Sequence, residues 1–350
     1  MPSYILKRLL AMIPTLFGVV TLSFLVTQFV PGGPIEQIML ELQGGGAQSE
    51  AAATGPGSYD ASSGISPQQI DALRQQYGFD KPLGQRYLEM LAKYARLDLG
   101  MSHFHQERVR DLLLSRLPVS LSLALWTVLI AYLVSIPLGI AKAVHAGSRF
   151  DLATSLVVIV GYSIPGFVMG ILLLLLFGGG VLPPLFPLRG LTSDDWETLS
   201  LAGKLLDYLW HMALPVASMA VGSFAIATML TKNTFMDEFR RQYVLTARAK
   251  GLSSNAVLYR HVLRNAMLPL VTGFSNVFVA LLFSGSLLIE TMFSLNGVGL
   301  LSFEAIMRRD YPVVLGSIYL FTIVGLLIKL AVDIGYTFID PRIKFDALEG

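Results

Sequence analysis

Side chains able to do chemistry are sparse in this 350-residue chain. His103 and His105 stand two apart and could offer two imidazoles to one metal ion. No further ligands at zinc-site spacing accompany them, so an ordinary exposed loop is the better reading. His145, His211 and His261 are scattered, and no Ser/His/Asp set can be assembled. Trp210-His211 suits an anchor at a membrane interface. The chain has no cysteine, which removes disulfides, Cys-zinc sites and thiol chemistry. It also lacks a G-x-x-x-x-G-K-[ST] phosphate loop, so ATP is not bound by that route. Neither catalytic residues nor a metal site is expected, and the chain is not expected to be an enzyme.

What remains is a polar stretch, Asp237 to Pro269. Here Arg240, Arg241, Arg248, Lys250, Arg260 and Arg264 outnumber Asp237 and Glu238. It reads as two short helices. Gly251 suits the left-handed position that ends the first. Ser253 or Ser254 can cap the second, and Pro269 is expected to open the following span. Tyr243, Ala247 and Gly251 fall four apart on one face. Thr246, Ala247, Ala249 and Gly251 keep the first helix thin, so another protein's backbone could approach it. A basic helix lying on anionic headgroups is the plainer alternative.

The surrounding elements are strongly apolar. Hydrophobic residues make up 53% and charged residues 14% of the chain, against roughly a quarter charged in soluble domains. The mean hydropathy is +0.61. The formal charge of +2 is too small to point to nucleic acid. Six runs of about 20 residues can each cross a bilayer as a helix. They lie near Leu9–Val30, Leu117–Ala141, Leu152–Phe177, His211–Leu230, Ala266–Ile289 and Val313–Ile334. An all-α integral membrane protein follows, since barrel strands would be shorter and alternating. The first run is longer than a signal-peptide core and no A-x-A site closes it, so it reads as an uncleaved span.

Basic residues set the expected orientation. Lys7, Arg8, Lys142, Arg149 and the stretch from Asp237 share one side, which the positive-inside rule makes cytoplasmic together with both termini. Pro31-Gly32-Gly33-Pro34 should end the first span, and Gly44 to Gly64 is low-complexity and expected to be flexible. One short helix is predicted from Ser66-Pro67 to near Gly78. A second starts at Pro82, with Leu83, Tyr87, Leu88, Leu91 and Tyr94 at amphipathic spacing. Packing on the membrane portion is the expected role of this external part.

Pro14, Pro137 and Gly161-Tyr162-Ser163-Ile164-Pro165-Gly166 interrupt the spans. Broken helices often line transport routes, which makes Tyr162, Ser163 and Pro165 candidate pathway residues; a simple kink is the alternative. Ionisable residues inside the spans are few. Lys329 and Asp333 are placed to pair, and Glu290 is expected at the outer end of the fifth span. A carrier driven by protons or sodium ordinarily needs more intramembrane acids, so the energy is expected to come from elsewhere.

Tyr243 to Thr272, YVLTARAKGL…RHVLRNAMLPLVT, resembles the EAA coupling loop of bacterial ABC importer permeases of the dipeptide/oligopeptide family. RLLAMIPTLFGVV…FVPGGP, YGFDKPLGQRY, GSLLIETMFSLNGVGLL, RRDYPVVLG and DPRIK extend the resemblance nearly end to end. RLPVSLSLALWT, IVGYSIPGF, FPLRGL and MLTKN are most similar to the Yej-type branch, associated with short peptides and the peptide-nucleotide antibiotic microcin C. Leu245 stands where the loop's namesake glutamate would be. The resemblance implies a type I permease fold with six transmembrane helices and a small periplasmic helical subdomain. Residues 1–30 would hold the cytoplasmic N-terminus and first helix, and residues 31–116 the periplasmic segment with flexible 44–64. Residues 117–335 would form a five-helix core with coupling loop 232–265, and 336–350 a cytoplasmic tail. It also implies transport of peptides from periplasm to cytoplasm by alternating access. The implied partners are a second homologous permease, cytoplasmic ATPases (in this branch two fused in one chain) that bind ATP and Mg, and a periplasmic solute-binding protein. Tyr243, Thr246, Ala247, Arg248 and Gly251 are the expected ATPase contacts. Nickel and glutathione permeases share the architecture. A secondary carrier or channel and a non-transporting scaffold are the remaining classes.

Overall fold

The computed structural model describes residues 2–29, 81–282 and 286–339. The expected flexible segment, the Pro31–Pro34 stop, the helix from Ser66 and the DPRIK tail lie outside them. The described chain is helical, with one isolated bridge between Met101 and Arg108. Five helices are long and apolar enough to cross a membrane, and a bent pair makes a sixth passage if read as one span.

Helix α1, Pro2–Phe29, runs antiparallel to the last helix, α11, Tyr311–Ile339. Arg8 pairs with Asp333 at 3.2 Å, so the pairing of Asp333 with Lys329 expected from their spacing is not made. The guanidinium reaches across helices to a half-buried carboxylate, while Lys329 stays exposed. Helix α2, Leu83–Ala95, lies on these two. Tyr87 meets the Thr21 hydroxyl at 2.8 Å, and Tyr94 packs edge-on to Tyr319 at 5.0 Å. Only part of the anticipated stripe faces inward: Tyr94 is buried, whereas Leu83 and Leu88 are exposed.

Helix α3, Val109–Val144, is 36 residues, about 54 Å at 1.5 Å per residue, and carries Pro118 and Pro137 within it. It runs in the same direction as α6, Leu201–Phe239. Ser135 Oγ donates to the Phe224 carbonyl at 2.9 Å. One helical turn further on, Gly139 lies so close to Thr231 that an added Cβ would stand 2.5 Å from the Thr231 Cβ. Small residues permit this approach where lipid supplies no hydrophobic drive between helices.

The third predicted span is broken. Helix α4, Arg149–Ser163, and α5, Gly166–Phe177, meet at 96°. Pro165 has no N–H to continue the helix and pushes Ile164 to extended dihedrals, φ −91 and ψ 117.

After α6 come α7, Gln242–Ala249, and α8, which spans Ser254–Ala280. Gly251, at φ +81, separates them and Ser253 caps α8, as their residue types imply. Pro269, however, does not open the span. The helix continues through it after a π-helical turn at Val257–Val262. A proline inside a membrane helix persists where its surroundings satisfy the freed carbonyl. The α-helical part of α8 runs to Ala280, and Ser286–Met292 is helix α9. Helix α10, Val298–Met307, follows.

Candidate coupling helix and pathway cleft

Helix α7 is held by its buried side. Val244 and Ala247 sit in a core with Phe235, Val257, Val262 and Ala143. Tyr243 is half-buried and donates its hydroxyl to Glu238 at 2.5 Å. Burial, followed by that hydrogen bond, raises the phenol above its ordinary value. The face containing Tyr243 and Ala247 therefore packs on the chain itself. The expectation that this thin face is presented outward is corrected: small residues permitted close approach, but the approaching surface is the chain's own α6 and α8. Leu245 (57% exposed), Thr246, Arg248, Ala249 and Lys250 form the free side. Of the anticipated contacts, Thr246, Arg248 and Gly251 are accessible, and Leu245 joins them.

A charge cluster with little signature in the sequence stands beside α7. Lys142, fully buried, lies 3.1 Å from Asp151 and donates to the Asp151 carbonyl, Thr154 Oγ1 and Ser155 Oγ. Lys232 of α6 donates to both Asp151 carboxylate oxygens. Gly147 N–H donates to the same carboxylate, and Ser148 caps α4 through Asp151 N–H. The turn between α3 and α4 is thus clamped to the helix that leads into α7. Its one sequence signal is Ser148 three residues before Asp151, a helix-start pattern.

At the other end of the bundle a second carboxylate is buried. Glu290 accepts from Ser120 Oγ at 2.6 Å and from Leu300 N–H at 2.8 Å. Ser120 Oγ in turn accepts from Val298 N–H at 2.8 Å. Together they satisfy the Val298 and Leu300 N–H groups in the first turn of α10, where a negative charge is favoured. Glu290 is therefore an internal cap on α10 at this end of the bundle. Close by in sequence, Asp310 accepts from Ser102 Oγ and from the N–H groups of His103 and Phe104. His105 N–H donates to Ser102 Oγ. Among the described residues no three His, Cys, Asp or Glu side chains are grouped to hold a metal ion.

Tyr162 and Ser163 are exposed at the α4–α5 bend, and Ser163 Oγ donates back to the Ile159 carbonyl. Pro165 sits in the bend beside an open cleft of about 380 Å3, whose walls include Gly166, Phe167, Gly222 and Leu288. Trp210 is half-exposed and stacks on Phe186 at 4.6 Å. His211 is buried with Nδ1 2.9 Å from the Asp207 carbonyl, so of that pair only Trp210 is free to anchor an interface.

The family model described as "Binding-protein-dependent transport system inner membrane component" matches residues 135–345. The chain is similar to the inner membrane ABC transporter permease protein YejB of Escherichia coli O157:H7. The two are 48% identical over 362 residues, covering 99% of this chain and 100% of that one. It is equally similar, 48% over 360 residues and 99% of both chains, to the peptidoglycan transport system permease protein YejB of Agrobacterium fabrum. The dipeptide transport system permease protein DppB of Escherichia coli K12 is 33% identical over 358 residues, covering 98% of this chain and 99% of that one.

Proposed function

We infer the function from a plain premise: the chain belongs to the family of binding-protein-dependent transport system inner membrane components. It is the permease subunit of an ATP-driven importer, and it moves short peptides or peptide-like compounds inward across the bacterial inner membrane. The names of its relatives, transporters of dipeptides and of peptidoglycan, support this substrate class, and microcin C falls within it. The chain is a transport component; ATP and Mg would be bound by partner ATPase subunits.

The observation that carries the reading is α7, a short helix rooted by Val244 and Ala247 in the bundle with Leu245, Thr246, Arg248 and Ala249 left open. Such a helix can be gripped by a partner and moved as a rigid piece. Displacement of α7 would pass to α6 and α8, which share its core, and so to the spans. That is the hinge-and-shear repertoire by which alternating access operates. A second homologous permease would complete the enclosure, and a solute-binding protein would deliver substrate at the end opposite α7. The clamp of Lys142 and Lys232 on Asp151 puts the α3–α4 turn at the same end as α7. Lys142, Arg149 and the basic stretch thus share one side, which supports a cytoplasmic α7 and cytoplasmic termini.

The test is mass spectrometry of what copurifies with the tagged chain in mild detergent, followed by reconstitution. An ABC ATPase and one related permease should copurify, and the reconstituted complex should take up a labelled tripeptide only with ATP and the binding protein. Uptake by the isolated chain without ATP would replace this reading with a carrier or channel.

A further inference from the structure

The open cleft beside the α4–α5 bend is lined by four elements: α5, α6, α8 and α9. Its walls include Gly166, Phe167, Gly222, Ser223, Ile226 and Leu288. At about 380 Å3 it falls within the roughly 300–1,000 Å3 of small-molecule sites. None of the described residues that line it is ionisable. Its wall includes the start of α5, whose first N–H groups have no acceptor within that helix. Backbone freed by a broken span is tolerated at membrane depth where it is buried in protein or lines a watery cavity. Transporter sites are characteristically built at such discontinuous helices.

Two glycines in the wall differ. A Cβ on Gly166 would stand 3.2 Å from the Ser218 carbonyl, so that position is already packed. A Cβ on Gly222 would meet nothing within 4 Å. Any bulk added at Gly222 enters open space.

We propose that this cleft is the chain's share of the water-filled substrate route, that it passes peptides by girth without reading their charge, and that Gly222 sets its width. The inference rests on the peptide-importer reading. A wall without charge holds a substrate weakly enough to release it, and it leaves recognition of charged groups to other parts of the complex.

The absence of cysteine makes the test direct, because single cysteines can be introduced into an otherwise thiol-free chain. In the reconstituted complex, Gly222→Cys should react with a charged methanethiosulfonate at least tenfold faster than Leu133→Cys, at an exposed apolar position on α3. Turnover with trialanine should slow the Gly222→Cys reaction. Equal rates at the two positions would mean a cleft facing lipid and would overturn the proposal.

A second variant tests the gauge. Gly222→Leu should lower uptake of triphenylalanine at least tenfold more than uptake of trialanine, and should affect trialanine and its lysine- and glutamate-containing counterparts equally. The binding protein's own preferences are common to variant and wild type and cancel in each ratio. A uniform loss across sizes, or a charge-dependent one, would overturn the gauge. Failure of the wild-type complex to move any tripeptide would instead overturn the peptide reading, while the reagent rates would still decide whether the cleft holds water.

Discussion

Lys232 Nζ lies 2.7 and 2.8 Å from the two carboxylate oxygens of Asp151, 81 residues away in sequence. Because Lys142 is fully buried against the same acid, Asp151 neutralises two cations from two helices. Asp151→Ala removes the only acid among the described partners of Lys142 and leaves a buried charge uncompensated. Loss of one partner from a buried pair typically costs about 3–5 kcal/mol. Thermal unfolding of the purified complex should therefore shift well downward, and membrane yield should fall. Lys142→Met keeps the length of the side chain and removes the charge, so its effect should be much smaller. Equal effects from the two substitutions would mean that packing, not charge, holds this turn.

The crossing of α3 and α6 is set by Gly139. A methyl group there would stand 2.5 Å from Thr231 Cβ and 2.9 Å from the Thr228 carbonyl, neither of them a flexible chain end. Gly139→Ala should force the helices apart at a cost of about 1–3 kcal/mol, the range for overpacking. Differential scanning fluorimetry of the complex checks this. Gly222→Ala, on α6 in the wall of the cleft with nothing within 4 Å, should show no such penalty, and comparable losses would remove the steric argument.

The legible features in the sequence were those fixed by local chemistry. Apolar runs long enough for a bilayer located the spans, and Gly251 and Ser253 marked the end of α7 and the start of α8. Of the interrupting prolines, Pro165 breaks a span, whereas Pro14 and Pro137 lie inside continuous helices. Relationships between distant segments were not legible. In the sequence Lys142 is one of several basic residues of one side, because Asp151, which pairs with both Lys142 and Lys232, meets them only when α3, α4 and α6 pack. Glu290 looked like the end of a span because its cap on α10 depends on Ser120, 170 residues away. Of the residues expected on the contact face of α7, Tyr243 and Ala247 turn inward, and this was not legible for a related reason. Ala247 permits close approach by any backbone, and nothing local distinguishes a partner's from the chain's own.

That orientation changes which substitution tests coupling. Ala247→Arg would place a charge in the core with Val244 and Phe235, so lost transport would not separate uncoupling from unfolding. Leu245 is 57% exposed on the opposite side. Leu245→Asp should leave membrane insertion and thermal stability within about 0.5 kcal/mol of wild type, as surface substitutions do. Uptake should fall at least tenfold, and copurification of the ATPase should weaken in proportion. Normal uptake at normal expression would exclude the outer face of α7 from the coupling contact.

Gly251 offers a test in which backbone conformation alone changes. Its φ of +81 belongs to the left-handed region, yet an added Cβ there meets nothing within 4 Å. Gly251→Ala therefore brings no clash, only the conformational penalty of about 1–2 kcal/mol for an L-residue. Gly251→Asn should cost less, since asparagine tolerates this region by hydrogen bonding locally. If the left-handed turn fixes α7 for its partner, transport should decline in the order Gly, Asn, Ala while the spans remain inserted. Matching losses for Asn and Ala would show that an exposed side chain at this position, rather than the turn, is what the partner rejects.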